Sequence, residues 1–222
     1  MKIEFISIVK GMTENCPILP AAKALPQWLH NAKDHYKNHS NKKSTHLTRC
    51  PGIMDFLTTG FVVTTWHDTF ITTSETHPDS FKSEVPEGIP FPGGSDMIIN
   101  AHGFEGIREF IPRSQRQSKI LMKMNTPWHV KAPEGIKLLM LPISYPDEDI
   151  LEGTSGILDP NLNSQINVHI WWNLIQGKHE LLANTPIAHI IPLTDQPVEL
   201  VMRDAEGDEF DYYSKTDFAR KL

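Results

Sequence analysis

Apolar and polar positions alternate over residues 2–9, with Ile3, Phe5 and Ser7 on one side and Glu4, Ile6 and Ile8 on the other, which predicts a strand. Ala21, Ala24, Leu25, Trp28, Leu29 and Ala32 then recur at three- and four-residue steps, the spacing of one buried helical stripe. Pro26 falls inside that pattern and lacks the N–H that a helix interior needs, so a short turn and then a helix from about residue 26 are expected. The polar run 35–48 reads as a surface loop. A short helix is predicted over 53–59, with Gly60 just past its end. The β-branched and aromatic run 61–73 predicts one or two strands. Four prolines and three glycines across 74–95 predict an irregular excursion.

Beyond it the pattern gives a strand at 97–99 and a turn of helix at 106–110. From residue 120 strands dominate, at 120–124, 128–131, 137–141, 166–172, 179–182, 187–193 and 198–202. Short strands at roughly 8 to 12 residue spacing are the pattern of a barrel or sandwich. The tail after Arg203 is acidic and then aromatic, and is expected to be an extended arm. The fold class is therefore mainly β (α+β), with a helix-containing N-terminal extension over 1–119 and a β domain over 120–222.

A chain of 222 residues can bury one good-sized core, or one core and a small subdomain. The formal net charge of -6 and the pI of about 6.0 argue against a general nucleic-acid binder. The local basic residues Lys42, Lys43 and Arg49 are diluted by His, Asn and Ser and read as a solvated face. Cys16 and Cys50 are too few for a disulfide framework or a four-cysteine zinc site, and each precedes a proline. Reduced thiols are expected. The first residues are interrupted by Glu4 and carry no small-residue cleavage site, so they read as a strand rather than a leader. No run approaches the roughly 18 apolar residues of a membrane span. A soluble intracellular protein with no membrane partner is expected.

Among chemistry-bearing residues, Asp159 stands in an Asp-Pro-Asn run that makes a turn in any context, with Asn161 as its third member. His77-Pro78-Asp79 matches the His-x-Asp of iron- and 2-oxoglutarate-dependent oxygenases, with His169 or His189 as a distal ligand. The surrounding Pro- and Thr-rich excursion and the lack of a downstream arginine weigh against that metal site, and no metal is assigned. His67-Asp68 reads either as an acid–base pair or as neighbours on opposite strand faces. Trp128, Trp171 and Trp172 could stack a ligand. Alternation sends one of Trp171 and Trp172 inward and the other outward, where it would form a ligand shelf or a subunit contact.

Pro142-Ile143-Ser144, then Gly156-Ile157-Leu158-Asp159, then a strand ending near Asn173 and the run Thr185-Pro186-Ile187-Ala188-His189-Ile190-Ile191 resemble, in order and spacing, the core of the trimeric dUTPase and dCTP-deaminase superfamily. That resemblance implies a dUTPase-like β-clip or barrel for the C-terminal part and a homo-oligomer, a trimer by analogy. It makes Asp159 the counterpart of the aspartate that activates water and meets the sugar 3′ hydroxyl. It also makes Ser144 the last residue of the segment that matches the phosphate-contacting Pro-Arg-Ser. The remaining set departs from the pattern: Leu162 stands where a tyrosine would stack on deoxyribose, Ser164 replaces a glycine, and Ile143 replaces the phosphate-holding arginine. Pro112-Arg113-Ser114 lies too far upstream to serve. Residues 204–222 hold one glycine, Gly207, in an acidic setting, where the superfamily has a glycine-rich closing segment.

Across the chain, Pro20-Ala21, Pro26-x-Trp28, Arg49-Cys50-Pro51-Gly52-Ile53-x-Asp55, Gly60-Phe61-Val62, Trp66-x-Asp68 and Pro127-Trp128-x-Val130-Lys131-x-Pro133-x-Gly135 also resemble an uncharacterised family of tailed phages of marine myophage type, with bacterial relatives. The two resemblances together imply a soluble accessory or binding protein in the host cytoplasm. It would act through a protein or small-ligand contact at Trp171, Trp172, Ser144 and Asn161, without a cofactor. A nucleotide-metabolism enzyme (pyrophosphatase- or deaminase-like) using Asp159, with magnesium, is the first alternative. A virion component and the iron enzyme are the others.

Overall fold

The computed structural model describes residues 1–39, 47–85, 99–101 and 121–214. In chain order, β1 (Lys2–Ser7) leads to a single helical turn, α1 (Met12–Asn15), and to the short β2 (Leu19–Pro20). α2 (Gln27–His39) starts directly after Pro26, where a missing N–H is harmless. Its first turn is capped from far along the chain: the two carboxylate oxygens of Asp147 accept the backbone N–H groups of Gln27 and Trp28 at 2.8 and 3.1 Å. α3 (Pro51–Thr58) has Pro51 in its first turn and stops at Gly60, whose φ of 83° is left-handed. Then follow β3 (Phe61–Thr64), β4 (Thr69–Ser74), β5 (His77–Glu84), β6 (Ile99–Ala101), β7 (Leu121–Lys131), β8 (Leu138–Leu141) and β9 (Leu151–Gly153). β10 (Gly156–Leu158), β11 (Gln165–Trp172), β12 (Gly177–Leu181), β13 (Pro186–Pro192), β14 (Glu199–Asp204) and α4 (Asp208–Ser214) complete the described elements.

The strands form three sheets. One has the order β14-β1-β7-β11-β9, with β6 also on β7; the second runs β10-β8-β13-β3-β2; the third runs β12-β4-β5. All described pairings are antiparallel except β1 with β14. Period-two alternation feeds all three sheets into one core. Ile3 and Phe5 of β1, Ile166, Val168, Ile170 and Trp172 of β11, Phe61 and Val63 of β3, Ile187 and Ile190 of β13, Ile71 of β4 and Leu181 of β12 meet there. Phe5 and Phe61 join the first two sheets edge to face at 5.5 Å. On the other face of β1, Ile6 and Ile8 pack under Tyr213 of α4, so both faces of that strand are covered.

The mainly β class expected from the pattern is the class observed, but several boundaries move. Residues 1–119 and 120–222 do not enclose separate cores: β1 pairs with β7, β3 with β13 and β4 with β12 across that division. The excursion expected over 74–95 includes β5, which pairs with β4 from Phe70↔Glu84 to Ser74↔His77. Pro78 is tolerated there because β5 is an edge strand. Residues 121–131 are one strand rather than two. Pro127 falls where the β11 register jumps from Gln165↔His129 to Asn167↔Asn125, a bulge that needs no ladder N–H from it. α2 runs on to His39 into the stretch expected as loop, since no glycine or proline interrupts it. The turn expected at Asp159-Pro160-Asn161 lies between β10 and β11. The strand expected at 198–202 is β14, and where an extended arm was expected after Arg203 residues 208–214 form α4, drawn onto the body by Tyr213. The expected helical turn at 106–110 and Arg113 lie outside the described residues.

Candidate functional site

Asp159 is at the turn between β10 and β11. Its Oδ1 accepts the Asn161 backbone N–H at 3.0 Å, and its backbone carbonyl accepts those of Leu162 and Asn163 at 3.0 and 2.9 Å. Its Oδ2 lies 4.0 Å from Lys137 Nζ. One carboxylate oxygen is thus already engaged in shaping its own turn. Asn161 is exposed on the far side of this turn, in a hollow of about 520 Å³ against α4 shared with Lys131 and Tyr212. Ser144 sits elsewhere, half-buried near His189 and Ala21. Trp172 is fully buried in the core and Trp171 is 8% exposed on the opposite strand face. Both indoles of that pair are covered within the one chain. The structure therefore does not bring Asp159, Ser144, Trp171 and Trp172 together.

A different group does converge. Along β11 the residues read Gln165, Ile166, Asn167, Val168, His169, Ile170. The apolar members enter the core, so Gln165, Asn167 and His169 form a polar row on the other face. Lys123 of β7 lies directly across from His169, and Asn100 of β6 directly across from Lys123. Opposite this row the chain passes from the first sheet to the second. β9 pairs with β11, whereas β10 pairs with β8 only, among the described residues, and so turns its other edge toward the row. The cleft so formed holds about 380 Å³ and is lined by Lys123, Asn163, Gln165, Asn167 and His169 against the backbone of 154–158. Thr154 N–H donates to the His169 carbonyl at 2.8 Å and ties the strands beside it.

Within the cleft Asn167 Nδ2 donates to Gln165 Oε1 at 3.2 Å, and Asn163 Oδ1 accepts the Gln165 backbone N–H at 3.2 Å. Asn167 Oδ1 is withdrawn from solvent and has no hydrogen-bond partner among the described residues. An unsatisfied buried acceptor costs about 1–3 kcal/mol. Amides, an ammonium and an imidazole offer donors and acceptors together, which suits a polar ligand. The alternating Q-I-N-V-H-I run was the signal for this row. Attention to Asp159 and the tryptophans passes over it.

Two of the described histidines bond to the backbone. His189 Nε2 is 2.6 Å from the Thr59 carbonyl, His67 Nδ1 is 2.7 Å from the Asp68 backbone carbonyl, and the Asp68 carboxylate accepts the Ala183 N–H at 2.7 Å. The His67-Asp68 neighbours are thus not an acid–base pair through the carboxylate. No three ligating side chains gather among the described residues.

No protein-family profile and no curated protein sequence matches the chain. Among solved structures, it is similar to the native dUTPase of EIAV, at 15% identity over 62% of this chain and 81% of that one, with a TM-score of 0.33. A likeness at that distance assigns neither ligand nor reaction.

Proposed function

We propose that this chain is a small-ligand-binding module whose site is the polar cleft between β10 and β11. The observation that carries this reading is Asn167, an amide on the cleft wall whose buried Oδ1 has no partner among the described residues. The fitting ligand is small, polar and planar. Its donor group meets Asn167 after a turn of the amide, and its acceptors meet Lys123 or the β10 edge. The resemblance to tailed-phage proteins supports setting this role in the host cytoplasm during infection. Ile157 and Leu162, 63% and 65% exposed beside the cleft, support a self-associating form that covers them.

The test is calorimetric titration of the full chain with a panel of nucleosides and free nucleobases, with Asn167→Leu as the control. Binding of at least one compound, lost in Asn167→Leu, is expected. That variant is also expected to melt close to the parent, because removal of the unsatisfied acceptor offsets the lost bond to Gln165. Titrations without heat across the panel, together with a destabilised Asn167→Leu, would count against the reading. Sedimentation of Leu162→Asp against the parent tests the oligomer.

A further inference from the structure

A second cavity lies on another part of the molecule, between edge strand β12 with the turn after it and the loop 143–151. It holds about 550 Å³, within the size of ordinary small-molecule sites. Its walls are apolar: Leu25 and Pro26 from the start of α2, Ile143 and Ile150 from the loop, and Leu181 and Leu182 from β12 and its end. Leu182 is 54% exposed at the rim. The loop is held open at a fixed distance from α2. Asp147 caps the α2 N-terminus, and Trp28 Nε1 donates to the Tyr145 carbonyl at 2.8 Å, with the two rings edge to face at 6.1 Å.

The charge around this groove has one sign. Asp147, Glu148 and Glu180 line it together with His179, and among the described residues no lysine or arginine does. Asp147 is occupied by the helix cap. Glu148 and Glu180 are exposed and have no basic partner among the described residues. This differs from other acidic residues on the same surface: Glu84 is paired with Lys178 and Lys82, which hold its carboxyl down at about 2.

We infer that this groove is a binding site for a small organic cation with an apolar body, such as an alkyl- or arylammonium compound. The apolar body lies against Leu25, Ile143, Ile150 and Leu181, and the cationic end faces Glu148 and Glu180. An anion of the same shape would meet two uncompensated carboxylates, so the charge pattern sets the specificity. The site is separate from the polar cleft and does not depend on what that cleft binds.

The experiment uses the full chain and three probes with a six-carbon chain: hexyltrimethylammonium, hexanoate and hexanol. Calorimetry and thermal melting are expected to show the ammonium binding most tightly and hexanoate least. Glu148→Gln with Glu180→Gln is expected to weaken the ammonium roughly five- to tenfold while leaving hexanol unchanged, the size expected for two exposed charge contacts. Asn167→Leu is expected to leave all three unchanged. Equal binding of hexanoate and the ammonium, no effect of the double variant, or no ammonium binding would overturn the inference. So would a dimer that Leu182→Asp dissociates and the ammonium does not, since a second copy would then occupy the groove.

Discussion

Arg203 and Glu209 meet in a two-pronged ion pair, with Nη2 donating to Oε1 at 2.8 Å and Nη1 donating to Oε2 at 2.5 Å. Arg203 Nε also donates to Glu4 at 3.0 Å, and Lys131 donates to Glu209 at 2.9 Å. One cluster thereby ties α4 to β14, β1 and β7 and holds Tyr213 over Ile6, Ile8 and His129, whose ring is 4.5 Å away.

Arg203→Ala is expected to loosen α4 and lower stability by about 1–2 kcal/mol, since the pair is charge-assisted but partly open to water. Limited proteolysis should cut after residue 204 in the variant and not in the parent. Unchanged protection there would show that Tyr213 alone holds the helix.

The same cluster sets a pH dependence. Hydrogen bonds from Arg203, then Lys131, hold the Glu209 carboxyl well below its ordinary range. Its stabilising effect is therefore complete above the ordinary carboxylate range and is lost as the pH falls toward the lowered value. Glu209 raises Lys131 in turn, so that contribution is complete at neutral pH and lost only as the pH rises past the usual lysine range. Near-UV circular dichroism of the tyrosines, followed from pH 7 down to pH 3, is expected to be lower in Glu209→Gln at pH 7, with the gap to the parent narrowing as the pH falls.

Gly60→Ala is expected to destabilise by about 2–4 kcal/mol. A Cβ there would stand 2.2 Å from the Ile190 carbonyl oxygen, and the φ of 83° disfavours any side chain. Urea unfolding measures this, and a midpoint equal to the parent's would contradict the close approach of α3's end to β13.

Trp172→Ala is expected to cost about 3–5 kcal/mol through the cavity left in the core. Trp172→Phe should cost much less, because the indole N–H is buried with no partner among the described residues and its loss removes a desolvated donor. Comparable melting of the Ala and Phe variants would mean that the N–H is satisfied in solution.

Asp159→Ala is expected to lose about 1 kcal/mol from the turn, and Asp159→Asn distinctly less, since asparagine makes the same side-chain contact to the backbone. The resemblance of Pro142-Ile143-Ser144 to the dUTPase phosphate segment, with isoleucine at the arginine position, implies that dUTP hydrolysis with magnesium is undetectable. A turnover near ~1 s⁻¹ that disappears in Asp159→Ala would reverse that assignment.

Much of the architecture was legible in local pattern. Alternation marks β1, β11 and β13, Pro26 sets the start of α2, and Gly60 marks the end of α3, because each reflects backbone sterics or a two-residue period that depends on near neighbours only. The tertiary structure decided what those elements face. Pro127 could lie inside one long strand only because β7 itself bulges there against β11, and β5 exists only because β4 lies alongside. The arm expected after Arg203 became a helix because Tyr213 found Ile6 and Ile8, about 200 residues away in sequence. Trp171 and Trp172 could be assigned to opposite faces from sequence, but whether an outer face is bare depends on what the rest of the chain lays over it. The candidate site was hidden for the same reason. Gln165, Asn167 and His169 read as the wet side of a strand until β10, paired away to another sheet, turns its free edge toward them and makes a cleft.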